Sequence, residues 1–389
     1  MTGPARPELV HRVRQRLVAE PGELAAAVRA EAGGILDDAV LSRLQREVAA
    51  QLIGAGPLEP LLALDDVTDV LVNGPASVWF DRGSGLERAE AAFADEGAVR
   101  ALAQRLVAGT GRRLDDAMPY ADAVLADGTR LHAVLPPICA STTISLRLFS
   151  RRRLTLADLV RLGGVPAPVA EVLRAVVAAR LAFAISGGTG TGKTTLLGCL
   201  LALVPAGERI VLVEDAPELA VQHDHVVRLV TRAANVEGAG AVGLRELVRQ
   251  ALRMRPDRLV VGEFRGAEMA ELLVALNTGH DGGAATLHAN SAAAVPARLT
   301  ALGGLAGLAE ATVTGLVASA LQVVIHLDRA GGARRVAALG LLLREGDRLV
   351  TQLVWSAGLQ QPSGHRHPSA GLLAELIQAR GVAVPEVLR

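Results

Sequence analysis

The pattern of apolar and polar positions changes character partway along the chain. Up to about residue 37 the sequence is charged and mostly helical in pattern, with Pro and Gly breaks. Leu41, Leu44, Val48 and Leu52 then recur on one helical face, and Gly54, Gly56 and Pro57 end that run. Short β-like runs follow at residues 67–72, 78–80, 123–126, 130–135 and 142–149. Val99, Leu102 and Leu106 mark a helix among them, and Asp127-Gly128 is a hairpin signal between two strands. These elements predict a small α+β domain that ends near residue 149, with Arg151, Arg152 and Arg153 in a linker.

From about residue 155 the pattern alternates between helices and buried strands. Apolar runs at 181–186, 209–213, 258–262 and 284–287 are separated by helical segments at 194–204, 244–253 and 267–276. That alternation predicts a parallel sheet flanked by helices. Helices follow Pro296 to about residue 320, then a strand at 323–327, a polar break after residue 362 and a last amphipathic helix. The expected division is a helical extension (1–37), an α+β domain (38–149), a linker (150–156), an α/β domain (157–360) and a tail with a helix (361–389).

Composition narrows the function. The 389 residues fit two or three domains, and half of them are hydrophobic, enough to bury sizeable cores. Forty basic residues balance forty acidic ones, which excludes a polyanion-coating protein. Cys139 and Cys199 stand far apart, so a cysteine zinc cluster and a disulfide scaffold are excluded, and both read as inert thiols. The N-terminus lacks the apolar core of a signal peptide, and the best apolar stretch, 311–325, is too short to span a membrane. The expected location is the cytoplasm, with action at a membrane open. Of the forty basic residues one is a lysine, Lys193. In an arginine-rich chain a retained lysine marks a place where a planar fork cannot replace a point charge.

Lys193 lies in the strongest motif. Gly187, Gly188, Thr189, Gly190, Thr191, Gly192, Lys193 and Thr194 fit G-x4-G-K-[ST], after an apolar strand and before a helix that continues through Thr195. Such a loop wraps phosphates with backbone N–H groups, aided by the helix N-terminus. Lys193 is expected to reach the β- and γ-phosphates, and the Thr194 hydroxyl to ligand Mg2+.

Two acids end apolar strands, Glu214 after 210–213 and Glu263 after 259–262. In an open α/β sheet the ligand sits at the carboxyl ends of strands, so one acid is expected to orient water and the other to hold Mg2+. The favoured assignment gives water to Glu214 and the metal side to Glu263; the bland alternative for either is a helix cap. His288 also ends a strand and is a candidate sensor of the γ-phosphate. A His280–His288 metal pair lacks supporting spacing, and His223-Asp224-His225 reads as a solvated loop.

Together these residues resemble the traffic ATPases of type II and type IV secretion and of pilus assembly, nearest to the Flp, or tight-adherence, pilus motor. The match runs from about 40 to 345 and takes in 54–62, 72–75, 111–115 and 127–137. It continues through the phosphate loop, the acidic box Glu214-Asp215-Ala216-Pro217-Glu218-Leu219, the stretches 235–238 and 251–257, Val261-Gly262-Glu263-Phe264-Arg265-Gly266 and the histidine box that holds Asn277 and His280 and ends His288-Ala289-Asn290-Ser291. All four Asn (Asn73, Asn235, Asn277, Asn290) fall inside matching stretches. The resemblance implies a RecA-like motor domain of α/β class, preceded by a smaller α+β (PAS-like) domain. It implies hexameric rings, ATP and Mg2+ as cofactors, and an inner-membrane pilus or secretion platform as partner, with the chain peripheral on the cytoplasmic face. It also implies N-terminal-domain arginines on the phosphates; by position these are Arg130 and Arg147. Leu148, Gly283 and Ala284 depart from the family pattern, which often has a basic residue and hydroxyls there. A DNA-moving motor is the alternative. Zero net charge and 2% aromatic content argue against it and against a stable nucleic-acid partner.

Overall fold

The computed structural model describes residues 9, 12–13, 15–16, 23–32, 41–42, 48, 54–83, 85–148, 154–232, 234, 238–357, 367 and 369–389. Leu44, Leu52, Arg151, Arg152, Arg153, Asn235 and the break at 358–366 lie outside them. The chain divides into two compact units, Met1–Ser150 and Arg151–Arg389.

In the first unit, helix α1 (Leu24–Glu31) contributes Ala27 and Val28 to a small cluster with Leu9, Val13, Leu41 and Val48. A short helix α2 (Glu59–Leu62) leads into strands β1 (Asp69–Asn73), β2 (Val78–Asp81) and β3 (Leu86–Arg88). Helix α3 (Glu96–Ala108) follows, capped by Asp95, whose carboxylate accepts from Ala98 N at 2.8 Å. Strands β4 (Tyr120–Val124), β5 (Arg130–Val134) and β6 (Thr143–Arg147) complete an antiparallel sheet of order β3-β2-β1-β6-β5-β4. The Asp127-Gly128 turn joins β4 to β5 as the sequence predicts, with Gly128 at φ 90°. Alternation along β6 buries Ile144 and Leu146 against Val99, Leu102 and Val107 of α3 and leaves Thr143, Ser145 and Arg147 on the other face.

The second unit opens with α4 (Leu156–Arg161), started by a capping box between Thr155 and Asp158, and α5 (Ala167–Ala178). Strand β7 (Phe183–Gly187) feeds α6 (Lys193–Leu201). Then come β8 (Ile210–Glu214), β9 (Val226–Val230), α7 (Leu244–Ala251), β10 (Arg258–Val261), α8 (Glu268–Leu276) and β11 (Ala284–Leu287). Helices α9 (Val295–Leu305) and α10 (Glu310–Ala320) precede β12 (Val323–Ala330), β13 (Ala333–Glu345) and β14 (Arg348–Ser356), and α11 (Ser369–Ala379) is the last helix. The sheet order is β14-β13-β12-β7-β11-β10-β8-β9, parallel from β12 to β9.

Both faces of this sheet are covered, which is why its strands read as continuous apolar runs. Phe183, Ile185, Ile210 and Leu212 face α5, α6 and α11, while Ala184, Val211, Val213 and Leu287 face α7 to α10. Helix α11 inserts Leu373 and Ile377 into the first of these cores, so the terminal helix belongs to the second unit. Cys199 is buried there, its thiol pushed up to about 11 by desolvation, in keeping with an inert role. Strands β3, β9, β13 and β14 were not legible as separate elements. Among the described residues no helix is long and apolar enough to cross a membrane.

Candidate active site

The strand order sets the site. Four neighbouring parallel strands, β7, β11, β10 and β8, end in the phosphate loop, His288, Glu263 and Glu214 respectively. The β7 end is shaped by glycine. Gly187 sits at φ 152°, and a Cβ there would lie 2.5 Å from Leu327 O and 2.8 Å from Thr191 Oγ1. Any larger residue would push the loop off β12. Gly188, Thr189 and Gly190 are exposed at the loop's crest, Thr191 is buried, and Thr194 is half-buried in the first turn of α6 beside the exposed Thr195. Gly192, at φ 96°, makes the left-handed turn into that helix.

Lys193 is 8% exposed, and its ammonium donates to Gly187 O at 3.1 Å and Gly188 O at 2.8 Å. It also lies 3.5 Å from His288 Nδ1, while His288 Nε2 lies 3.1 Å from Glu263 Oε1. Desolvation first, then the Lys193 charge, lowers the His288 pKa below the ordinary imidazole value. A neutral ring that donates from Nε2 to Glu263 and accepts at Nδ1 satisfies both neighbours. Lys193, His288 and Glu263 are therefore one connected group, across three adjacent strand ends.

Arg265 extends this group. Its guanidinium bridges Glu263 Oε2 and Asp215 Oδ2, at 2.9 Å each. Its backbone N–H and that of Gly266 donate to Glu268 Oε1, which fixes the turn into α8. Arg265 and Asp215 were not singled out from sequence. Both sit inside the matched boxes, one residue or two from an acid that was, so adjacency was the available signal.

Glu214 is held differently. It is 2% exposed, with Oε1 accepting from Glu218 N at 3.0 Å and Leu219 N at 2.8 Å. Arg228 Nε lies 2.9 Å from Oε2, yet that oxygen has no aligned hydrogen bond. Burial raises the Glu214 pKa, against the opposing pull of these N–H groups and of Arg228. Gly262 lets β10 pass close by, since a Cβ there would meet Glu214 Cγ at 3.1 Å. The end of β8, which carries Glu214, stands three strand spacings from β7, about 14 Å.

The remaining candidates separate. His280 lies before β11, at the opposite end from His288, and contacts Ala275 O. His223 and His225 bond to Pro205 O and Arg209. No group of metal-binding side chains occurs among the described residues. Arg130 and Arg147, in the first unit, are directly opposite each other on β5 and β6, with Asp69 of β1 opposite Arg147 on its other side.

The family model described as "Type II/IV secretion system protein" matches residues 51–345. The chain belongs to that family. It is accordingly a P-loop ATPase with a RecA-like motor fold. A Mycobacterium tuberculosis (strain H37Rv) protein, whose name assigns it provisionally to conjugal transfer, is 53% identical over 330 residues, 82% of this chain and 93% of its own. The type IV secretion system protein PtlH of Bordetella pertussis is 34% identical over 311 residues, covering 72% and 91%. Among solved structures, the pilus retraction motor PilT with bound ADP is 20% identical, covers 74% of this chain and 83% of its own, and has a TM-score of 0.54, a likeness of fold.

Proposed function

We propose that this ATPase is the cytoplasmic ring motor of an envelope-spanning secretion or pilus apparatus, hydrolysing ATP to drive a membrane platform protein. The observation that carries the reading is the contact chain Lys193–His288–Glu263 at the carboxyl ends of adjacent parallel strands. The domain boundaries read from sequence, 38–149 and 157–360, would be its two working parts, six copies forming the ring.

In the proposed mechanism, residues 187–195 wrap the phosphates and Lys193 exchanges its loop carbonyls for phosphate oxygens, a stronger charge-assisted partner. The oxygen donors Thr194 and Glu263 suit a hard cation held mainly by phosphate and water, which fits Mg2+. When bound, Mg2+ would neutralise charge developing on the β- and γ-phosphates. His288 reports the γ-phosphate to Glu263 through its two ring nitrogens. Glu214 serves as the water-activating group, since a carboxylate raised by burial accepts a proton more readily. Arg130 and Arg147 stabilise the transferring phosphoryl group.

Glu214→Gln and Glu263→Gln should each keep nucleotide binding and lose turnover about a hundredfold or more. ATPase assays beside ADP binding check this, and normal hydrolysis by either variant removes that residue.

The His288 environment gives a pH signature. Its folded-state pKa is lowered, so its contribution is complete above about 6.5, the unperturbed value, and is lost as pH falls through the folded value. An imidazolium would face Lys193, Arg265 and Arg298, with only Glu263 opposing. Turnover should therefore hold through about pH 6.5, the unperturbed value, and fall only as pH drops through the lower folded value. His288→Gln, slower throughout, should be flat there; an unchanged acid limb in that variant would remove His288 as its source.

Conjugal transfer is a second reading, favoured by the name of the 53%-identical relative. Turnover with and without single-stranded DNA separates a motor that grips DNA from one that works a protein platform. Stimulation by DNA would overturn the leading reading.

A further inference from the structure

The hairpin of β12 and β13 lies against the phosphate loop. Leu327 of β12 is opposite Gly187 in the parallel ladder. Two residues on, Arg329 Nη2 donates to Gly190 O at 3.1 Å, at the crest of the loop. From the other limb, Arg334 Cδ lies 3.6 Å from where a Cβ on Gly192 would stand. Arg329 and Arg334 are directly opposite each other across the hairpin. The next arginine, Arg335, pairs with Asp328 at 2.9 Å. Arg329 is exposed, and its partner among the described residues is a carbonyl. The connecting Gly331 and Gly332 both have positive φ.

We propose that this hairpin is a second cationic contact for the nucleotide's phosphates, with Arg329 as its leading residue and Arg334 beside it. A guanidinium resting on a neutral carbonyl gains a stronger bond by turning to a phosphate oxygen. The charge then comes from the motor unit itself, on the strand next to β7, independently of Arg130 and Arg147. This rests on the phosphate-loop reading of residues 187–194.

The test is calorimetric titration of the full chain with ADP at low and high salt, for wild type, Lys193→Ala, Arg329→Ala, Arg329→Gln and Arg329→Lys. Wild type should bind, and Lys193→Ala should not; failure of that comparison defeats the phosphate-loop reading. Given that comparison, Arg329→Ala and Arg329→Gln should weaken ADP about tenfold, with a shallower salt dependence. Arg329→Lys should recover most of the loss. Affinities within twofold of wild type for the Ala and Gln variants, or no recovery in the Lys variant, overturn the hairpin proposal. So does a lower Tm without nucleotide accompanied by unchanged affinity. Arg334→Gln should weaken ADP less, and supplies the same readout if the Arg329 variants do not fold.

Discussion

Lys193→Ala and Lys193→Arg should both lose ATP turnover by about 10²–10³-fold or more. The alanine result follows from removing the one cation held inside the loop. The arginine result tests the geometry. Lys193 Nζ sits between two carbonyls 2.8 and 3.1 Å away, in a pocket that leaves the residue 8% exposed. A guanidinium is wider, planar and rigid, and cannot take that place without displacing Gly188 or His288. The composition makes the same point, since the chain uses arginine at every other basic position. Steady-state ATPase assays, with ADP binding in parallel, check both variants. Near-normal turnover in Lys193→Arg would falsify the role given to this residue.

The motor core was legible because each of its strands is short, apolar and followed by chemistry. Strand β11 (Ala284–Leu287) has the expected bounds, and β7, β8 and β10 differ from expectation by one or two residues. Strands β13 and β14 were not, for a physical reason. The centre of β13, from Ala338 to Leu342, is buried on both faces and its ends are exposed, so it shows neither period two nor period 3.6. Strand β9 follows the loop of His223 and His225 and is half-buried, so its apolar residues carried no clear face.

At the site, residue types and strand ends were readable, but lateral order was not. Nothing in the spacing of Glu214 and Glu263 says that β10 and β11 lie between β8 and β7. That order puts Glu263 in contact with His288 and sets Glu214 apart. The hairpin arginines were hidden for the same cause: they lie about 140 residues from the loop they touch.

Arg147 carries the last prediction. It sits at the end of β6, on the face opposite the core, beside Arg130. An arginine supplied in trans is worth about 10³–10⁵ in rate for GTPases, and the lower end or less is expected here. Arg147→Ala should accordingly be nearly inactive while still binding ADP. The decisive experiment mixes two inactive proteins, Lys193→Ala and Arg147→Ala. If Arg147 serves a nucleotide held by a neighbouring subunit, exchange of subunits creates some sites with an intact loop and an intact arginine, and activity partly returns. If it serves its own chain's nucleotide, no mixed site is complete and mixing restores nothing. Full activity of Arg147→Ala alone would instead make this an ordinary surface arginine on a half-exposed strand. Arg130 can be put through the same mixing. A Tm equal to or above wild type, together with lost turnover, is the combination that separates a functional arginine from a structural one.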